Sequence, residues 1–218
     1  MSQTGIYGGS FNPVHEGHTG LCKWILRHTE LDEIWMMVSP NNPLKPNGIL
    51  ADEKERFVAL CERLTQENET GEAKQGKAAV ICGEKVKHIT ASNFEFDMPR
   101  PSYTADTLRR LKEKYPDKTF TLIIGEDNWR QFKRWRDWED IAKEYAIIVY
   151  PRKTRTSGEE EEPAELTPQE NECMNVSYMS GAPYFDISST EIRHNVKAAK
   201  NSINNKVQSR TKSTKTTI

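Results

Sequence analysis

Two histidines three residues apart, His15 and His18, follow the paired glycines Gly8 and Gly9 in the segment G-G-S-F-N-P-V-H-E-G-H. Glycines after a strand let the backbone come close to a phosphate. Pro13 sets the start of the next helix, and residues three apart on a helix share one face. In a first turn, free backbone N–H groups and the positive end of the helix dipole already favour an anion. Imidazole N–H donors placed there suit phosphoryl oxygens, whose charge grows in a transition state. Zinc is a poorer reading, because no Cys, Asp or Glu cluster supplies further ligands at recognisable spacing. The glycines do not fit the G-x-G-x-x-G dinucleotide turn, and no G-x-x-x-x-G-K-[ST] loop is present. A structural turn with two surface histidines is the remaining alternative.

A second group lies near the C-terminus, in D-I-S-S-T-E-I-R from Asp186 to Arg193. Ser188 and Glu191 satisfy the S-x-x-E capping box, which accounts for both without any ligand. The functional reading adds hydroxyls from Ser189 and Thr190 at the same helix start. Arg193 follows one turn in, with a guanidinium fork that matches phosphate geometry.

The elements that must carry these groups alternate. Strands are expected at residues 4–7, 33–39, 79–82, 119–124 and 146–150, and helices at 15–29, 52–67 and 104–114. The runs at 79–82 and 119–124 are continuously apolar, as in strands buried on both faces of a parallel sheet. The class expected is α/β, a doubly wound and mainly parallel sheet. Ligands in such sheets sit beyond the carboxyl ends of the strands, where the Gly-, Pro- and Asn-rich loops fall.

The 218 residues, 35% of them hydrophobic, suffice for one sizeable core despite a mean hydropathy of -0.78. A net charge of -1 gives no bias toward nucleic acid or an anionic membrane. No apolar run approaches the ~20 residues of a membrane span. The scattered cysteines Cys22, Cys61, Cys82 and Cys173 form no C-x-x-C pair, so a reduced, soluble, cytoplasmic protein is expected. The catalytic domain is expected to span 1–195. The hydrophilic stretch from Arg152 to Glu172 reads as a solvated insertion. Residues 196–218 hold six Lys or Arg and no acid among Ser, Thr and Asn, and are expected to be a disordered basic tail.

The first segment resembles the G-x-F-D-P-x-H-x-G-H signature of the nucleotidylyltransferase superfamily, with Asn12 in place of the usual Asp. The second is similar to that superfamily's I-S-S-T-x-[IV]-[RK]. The resemblance implies a Rossmann-like nucleotidylyltransferase fold. It also implies ATP binding through Gly8, Gly9, Ser10, Phe11 and Gly17, with His15 and His18 on the triphosphate, stabilising the transition state. Ser188, Ser189, Thr190 and Arg193 would then hold the phosphates that leave, with His15, His18 and Arg193 catalytic.

Three further segments resemble the bacterial nicotinate-nucleotide adenylyltransferases. P-N-N-P-L-K, from Pro40 to Lys45, would bring Lys45 to substrate phosphate. P-S-Y-T-A-D-T-L, from Pro101, would line a nicotinate pocket with Tyr103 and Thr104; read locally, it is a helix start capped by Thr104. I-G-E-D, from Ile124, would bring Gly125 and Asp127 to nucleotide and lead to Trp135, which would stack on the pyridine ring with Trp129 and Trp138 as competitors. Arg134 and Arg152 are candidates for a carboxylate contact, and spacing does not choose between them. The likeness covers most of residues 5–193, fading at 67–76 and 152–173. The helical C-terminal segment usual in the family is replaced here by Ser/Thr/Lys-rich sequence.

What the resemblance implies is adenylyl transfer from ATP, with Mg2+, to nicotinate mononucleotide, giving deamido-NAD and pyrophosphate. The attacking phosphate is already ionised at neutral pH, so no general base is needed. Other acceptors, nicotinamide mononucleotide or phosphopantetheine, are the alternatives within enzymes. A weakly active nucleotide-binding regulatory protein is the alternative outside them. No nucleic-acid or membrane partner is expected, and a homo-oligomer stays open.

Overall fold

In the first strand, consecutive apolar residues face opposite ways and feed two different cores, which is how a sheet comes to be covered on both faces. Ile6 joins Leu108, Leu111, Leu122, Ile124, Phe132 and Ile141 on one side. Tyr7 joins Leu21, Ile25, Leu60, Leu64, Ile123 and Ile148 on the other. A computed structural model describes residues 1–40, 51–70, 75–152, 174–184, 189, 192 and 193.

The elements run β1 (Ser2–Gly9), α1 (Glu16–His28), β2 (Glu33–Val38), α2 (Glu53–Gln66), β3 (Lys77–Cys82), β4 (Lys85–Ser92) and a 3-10 turn (Phe94–Asp97). They continue with α3 (Thr104–Lys114), β5 (Lys118–Gly125), α4 (Glu126–Trp129), a second 3-10 turn (Phe132–Arg134), α5 (Trp138–Glu144), β6 (Ala146–Tyr150) and β7 (Val176–Tyr178). Seven strands make one sheet in the order β3-β4-β2-β1-β5-β6-β7. All pairs are parallel except β3 with β4. This is the doubly wound α/β class. The strand order turns around β1, whose neighbours are β2 and β5. Its carboxyl end at Gly9 is therefore the natural ligand crevice.

Two sequence expectations are corrected here. The apolar run at 79–82 is not a doubly buried parallel strand. It lies in β3, which pairs antiparallel with β4 at the edge of the sheet and leaves Ile81 exposed. A run of four apolar residues looks the same in an edge hairpin as in a central strand. Strands β4 and β7 were not anticipated. The β4 sequence, K-V-K-H-I-T-A-S, buries only Lys87 and Ile89, and its lysines hide the pattern. Lys87 is buried because its ammonium donates to the carbonyls of Leu26 (2.9 Å) and Thr29 (2.6 Å) at the end of α1. There the helix dipole favours a cation.

Among the described cysteines, Cys22, Cys61 and Cys82 are free thiols, the first two buried. No helix among the described residues is long and apolar enough to cross a membrane. Cys173, the stretch 153–173 and the tail 196–218 lie outside the described residues.

Leu108 on α3 is wholly buried between the helix and the sheet. Leu108→Ala is expected to cost about 2–5 kcal/mol through lost burial and the cavity left behind, read as a lowered urea midpoint; an unchanged midpoint would contradict this packing.

Candidate active site

After β1 the chain turns sharply, and the left-handed residue in the turn is Phe11 (φ 43) rather than a glycine. A bulky residue held there costs on the order of 1–2 kcal/mol, and its surroundings repay it. The Phe11 ring is buried and meets Tyr7 edge-on at 5.6 Å and His18 at 5.1 Å. It also explains Gly9, where a Cβ would lie 2.9 Å from a Phe11 ring carbon. Gly8 differs. It is exposed at the end of β1, and a Cβ there would meet nothing within 4 Å. No packing demand calls for glycine at that position, which leaves a bare backbone facing the crevice.

His15 is the residue before α1 rather than its first turn, and His18 is the third residue of the helix. The His15 amide donates to His18 Nδ1 (3.2 Å), and the His18 amide donates to the His15 carbonyl (3.0 Å). With Nδ1 accepting, the proton of neutral His18 belongs on Nε2, which makes that atom a donor. The two rings lie 3.8 Å apart, as their spacing predicts. Burial, then the positive charges of Arg152 and Arg63, hold the His15 pKa down to about 4. His15 Nδ1 is buried with no hydrogen-bond partner among the described residues. A His15 ring that is neutral at neutral pH suits an anion, because an arriving phosphate would supply the charge that stabilises a proton there.

Two residues of the C-terminal motif, Ser189 and Arg193, reach this turn. Ser189 Oγ donates to the Pro13 carbonyl (2.9 Å), and the Arg193 guanidinium donates to the Asn12 carbonyl. Both residues are helical. Ser188 and Thr190, between or beside them, lie outside the described residues, as does Lys45.

The ends of β5 and β6 complete this side. Gly125 has no room for a side chain: a Cβ would lie 2.6 Å from Asp127 Oδ1 and 3.1 Å from the Tyr150 hydroxyl. That hydroxyl is hydrogen-bonded to Tyr7 (3.3 Å), and burial raises the pKa of both phenols. Packing therefore accounts for Gly125. Asp127 Oδ2 takes the Arg152 guanidinium at 3.3 Å, while Oδ1 is buried without a partner among the described residues. Of the two arginines left open by the sequence, Arg152 thus belongs to the His15–Asp127 corner, and Arg134 is exposed on the second 3-10 turn.

On the other side, a buried carboxylate gathers the loops. Glu95 accepts from Ser39 Oγ (2.7 Å), Ser102 Oγ (3.2 Å) and Thr107 Oγ1 (2.9 Å). It thereby ties the end of β2 to the segment before α3 and to α3 itself. The cap of α3 is Tyr103 rather than Thr104, which is the first helical residue. The Thr107 hydroxyl, not a Thr104 cap, reaches back to the Tyr103 carbonyl. The Arg136 guanidinium lies over the Tyr103 ring at 4.9 Å. Half-buried Trp135 packs on Phe132 at 5.5 Å, as do Trp129 at 5.1 Å and Trp138 at 6.1 Å.

Arg56 and Glu95 were missed by the sequence reading. Arg56 is buried in α2, donating to the carbonyls of Ser10, Ser39 (3.1 Å) and Ala51 (3.0 Å). It braces the loops after β1 and β2 from below, and burial lowers its pKa. A signal existed: Arg56 is spaced i, i+4, i+8 with buried Leu60 and Leu64, a charge on the core-facing stripe. Glu95, in a short 3-10 turn, had no such periodic marker.

The family profile described as cytidylyltransferase-like matches residues 6–195. A relative from Bacteroides thetaiotaomicron is 39% identical over 191 residues, covering 88% of this chain and 80% of its own. One from Flavobacterium johnsoniae is 36% identical over 197 residues, covering 90% and 88%. Both carry the name "Probable nicotinate-nucleotide adenylyltransferase". The chain belongs to the nicotinate-nucleotide adenylyltransferase family of cytidylyltransferase-like proteins. Its fold is also that of the Plasmodium falciparum nicotinic acid mononucleotide adenylyltransferase complexed with NaAD, with a TM-score of 0.63 over 89% of this chain and 83% of that one. At 19% identity that likeness is one of fold.

Two outcomes follow for this member of the family. The His15 pKa lies below its unfolded value of about 6.5, so the neutral ring contributes stability above that pH, and the contribution is lost as pH falls toward 4. Thermal midpoints of the wild type are expected to drop more steeply between pH 6.5 and 4.5 than those of His15→Gln; parallel profiles would contradict the assignment. Glu95→Ala leaves three hydroxyls without their acceptor and is expected to cost about 1–3 kcal/mol in chemical denaturation.

Proposed function

We propose that the chain transfers the adenylyl group of ATP to nicotinate mononucleotide, giving deamido-NAD and pyrophosphate. The observation that carries this reading is the meeting of Ser189 and Arg193 with the Asn12 and Pro13 carbonyls beside His15 and His18. That arrangement brings donors from both ends of the sequence to the turn after β1. The names of the relatives, at 39% and 36% identity over most of the chain, support the choice of acceptor.

In the proposed reaction an oxygen of the acceptor phosphate forms a bond to Pα of ATP. The Pα–O bond to the β-phosphate breaks, and its electron pair leaves with pyrophosphate. The protein's work is positioning and charge stabilisation. Gly8, Gly9, Ser10, Phe11 and Gly17 shape the backbone against ATP. His15 and His18 donate to the triphosphate as charge builds, and Arg193 with Ser188, Ser189 and Thr190 holds the departing phosphates. Gly125 shapes the nucleotide end beside Asp127, and Arg152 adds a positive charge at that corner. Lys45, Tyr103, Thr104 and Trp135 are assigned to the acceptor.

Mg2+ enters with ATP, since this cation keeps most of its waters and rides on phosphate oxygens. Among the described residues no group of three or more His, Cys, Asp or Glu would cage it. Asp127, with its buried and unpartnered Oδ1, is the carboxylate that would hold it from the protein side. When bound, the ion neutralises phosphate charge. A cytoplasmic location, where thiols such as Cys22 and Cys61 stay reduced, belongs to the same proposal.

Pyrophosphate release with MgATP is expected with nicotinate mononucleotide and to be far slower with nicotinamide mononucleotide. No release with either would overturn the enzyme reading. His18→Ala is expected to lower kcat by about 10²–10³, the usual effect of removing one donor to a developing oxyanion, with an unchanged circular dichroism spectrum; a near-normal rate would remove His18 from the mechanism.

A further inference from the structure

Two buried charges lie between the turn after β1 and the start of α3, and each is shared by a pair of serines. Arg56 Nη1 donates to the carbonyls of both Ser10 and Ser39 (3.1 Å). Glu95 Oε2 accepts from the hydroxyls of both Ser39 (2.7 Å) and Ser102 (3.2 Å). A charge taken out of water is tolerated only while it is hydrogen-bonded, so neither group can drop a partner cheaply.

Ser39 is common to both pairs. Its amide donates to the Gly9 carbonyl (2.9 Å), its carbonyl accepts from Arg56, and its hydroxyl donates to Glu95. All three of its polar groups are engaged, two toward the turn after β1 and one toward the segment before α3. A line of shared atoms therefore runs from the Ser10 carbonyl through Arg56, Ser39 and Glu95 to the Ser102 hydroxyl. Ser10 lies in the turn assigned to ATP, and Ser102 directly precedes Tyr103, assigned to the acceptor.

The two ends of this line differ in stiffness. Ser39 follows β2, whose last residue, Val38, pairs with Gly9 in the sheet. A shift of the turn is thus passed to Ser39 by strand pairing as well as by Arg56. Glu95, by contrast, stands in a 3-10 turn of four residues, which has poor internal hydrogen bonding to hold it. The hydroxyls of Ser39, Ser102 and Thr107 set its position, so what moves Ser39 also moves the acceptor of the Ser102 bond.

We infer that Ser39 is a positioning residue that couples the two substrate sites, so that order imposed on the turn by one substrate prepares the segment before α3 for the other. Such coupling is reciprocal, each ligand raising the affinity for the other by the same factor. Which substrate each end meets rests on the function proposed above. Removing the Ser39 hydroxyl breaks the line at one bond and leaves its main-chain bonds to Gly9 and Arg56 in place.

The test is calorimetric titration of the full chain with nicotinate mononucleotide, alone and with a saturating non-hydrolysable ATP analogue and Mg2+. In the wild type the analogue is expected to lower the Kd of the mononucleotide by about 5- to 10-fold, the low end of the usual range for coupled sites. In Ser39→Ala each ligand alone should bind nearly as in the wild type, while that factor falls to about 1. Ser102→Ala, at the far end of the line, should lower the factor in the same way. Ser39→Thr, which keeps a hydroxyl, should restore most of it. A wild type whose Kd ignores the analogue would overturn the inference, as would wild-type coupling in Ser39→Ala. Weaker binding of both ligands in that variant, with the factor intact, would make Ser39 a structural brace and overturn it too. A wild type that fails to bind nicotinate mononucleotide under either condition would overturn the proposed function, and the inference with it.

Discussion

The carbonyls of Asn12 and Pro13 are the anchor on which the rest of this site depends. They receive Arg193 and Ser189 from 181 and 176 residues further along the chain, and so place the second motif opposite the histidines. Both acceptors are main-chain oxygens. An Asn at position 12, where relatives by resemblance carry Asp, presents the same carbonyl, so this closure is indifferent to that exchange. What the closure does require is the turn that aims those carbonyls outward. That turn is secured by the buried Phe11 ring, by Gly9 beneath it, and by Arg56 on the Ser10 carbonyl.

Two of the cationic or ionisable groups near the turn after β1 are held by burial and main-chain partners rather than by carboxylates. His15 is kept neutral by burial and by neighbouring arginines, which in the proposed reaction leaves its ring as a donor to phosphate. Arg56 lies below the loops with carbonyls as partners instead of carboxylates. It therefore adds positive potential to the crevice without a counter-ion bonded to it. Preorganised donors of this kind are the usual way a protein stabilises phosphoryl transfer without supplying covalent chemistry.

The acceptor side is built on the opposite principle, with a carboxylate as the hub. Glu95 collects hydroxyls from the end of β2, from Ser102 and from α3, fixing the loop that presents Tyr103. Arg109 neutralises three aspartates around α3 and α5. Arg136, beside Asp106 (3.8 Å) and Asp137 (4.0 Å), lies over the Tyr103 ring at the edge of an open cleft. The two halves meet at the carboxyl ends of β1 and β5, where strand order turns.

Residue type and short-range spacing were enough to determine the class of fold, the central strands and helices α1, α2 and α3, but not the short α4 and α5. They also marked both candidate phosphate-binding motifs, because glycines, paired histidines and S-S-T before an arginine carry their meaning within a few residues. They were enough to bring the rings of His15 and His18 together, since a cap residue and the third residue of its helix lie on one side of the first turn. The meeting of Asn12 and Pro13 with Ser189 and Arg193 was decided only by the tertiary structure. So were the burial of Arg56 and Glu95, the antiparallel edge formed by β3, and the position of Arg136 over the Tyr103 ring. Each of these depends on which strands lie next to one another, and strand order is settled by packing summed over the whole sheet, which no local pattern encodes.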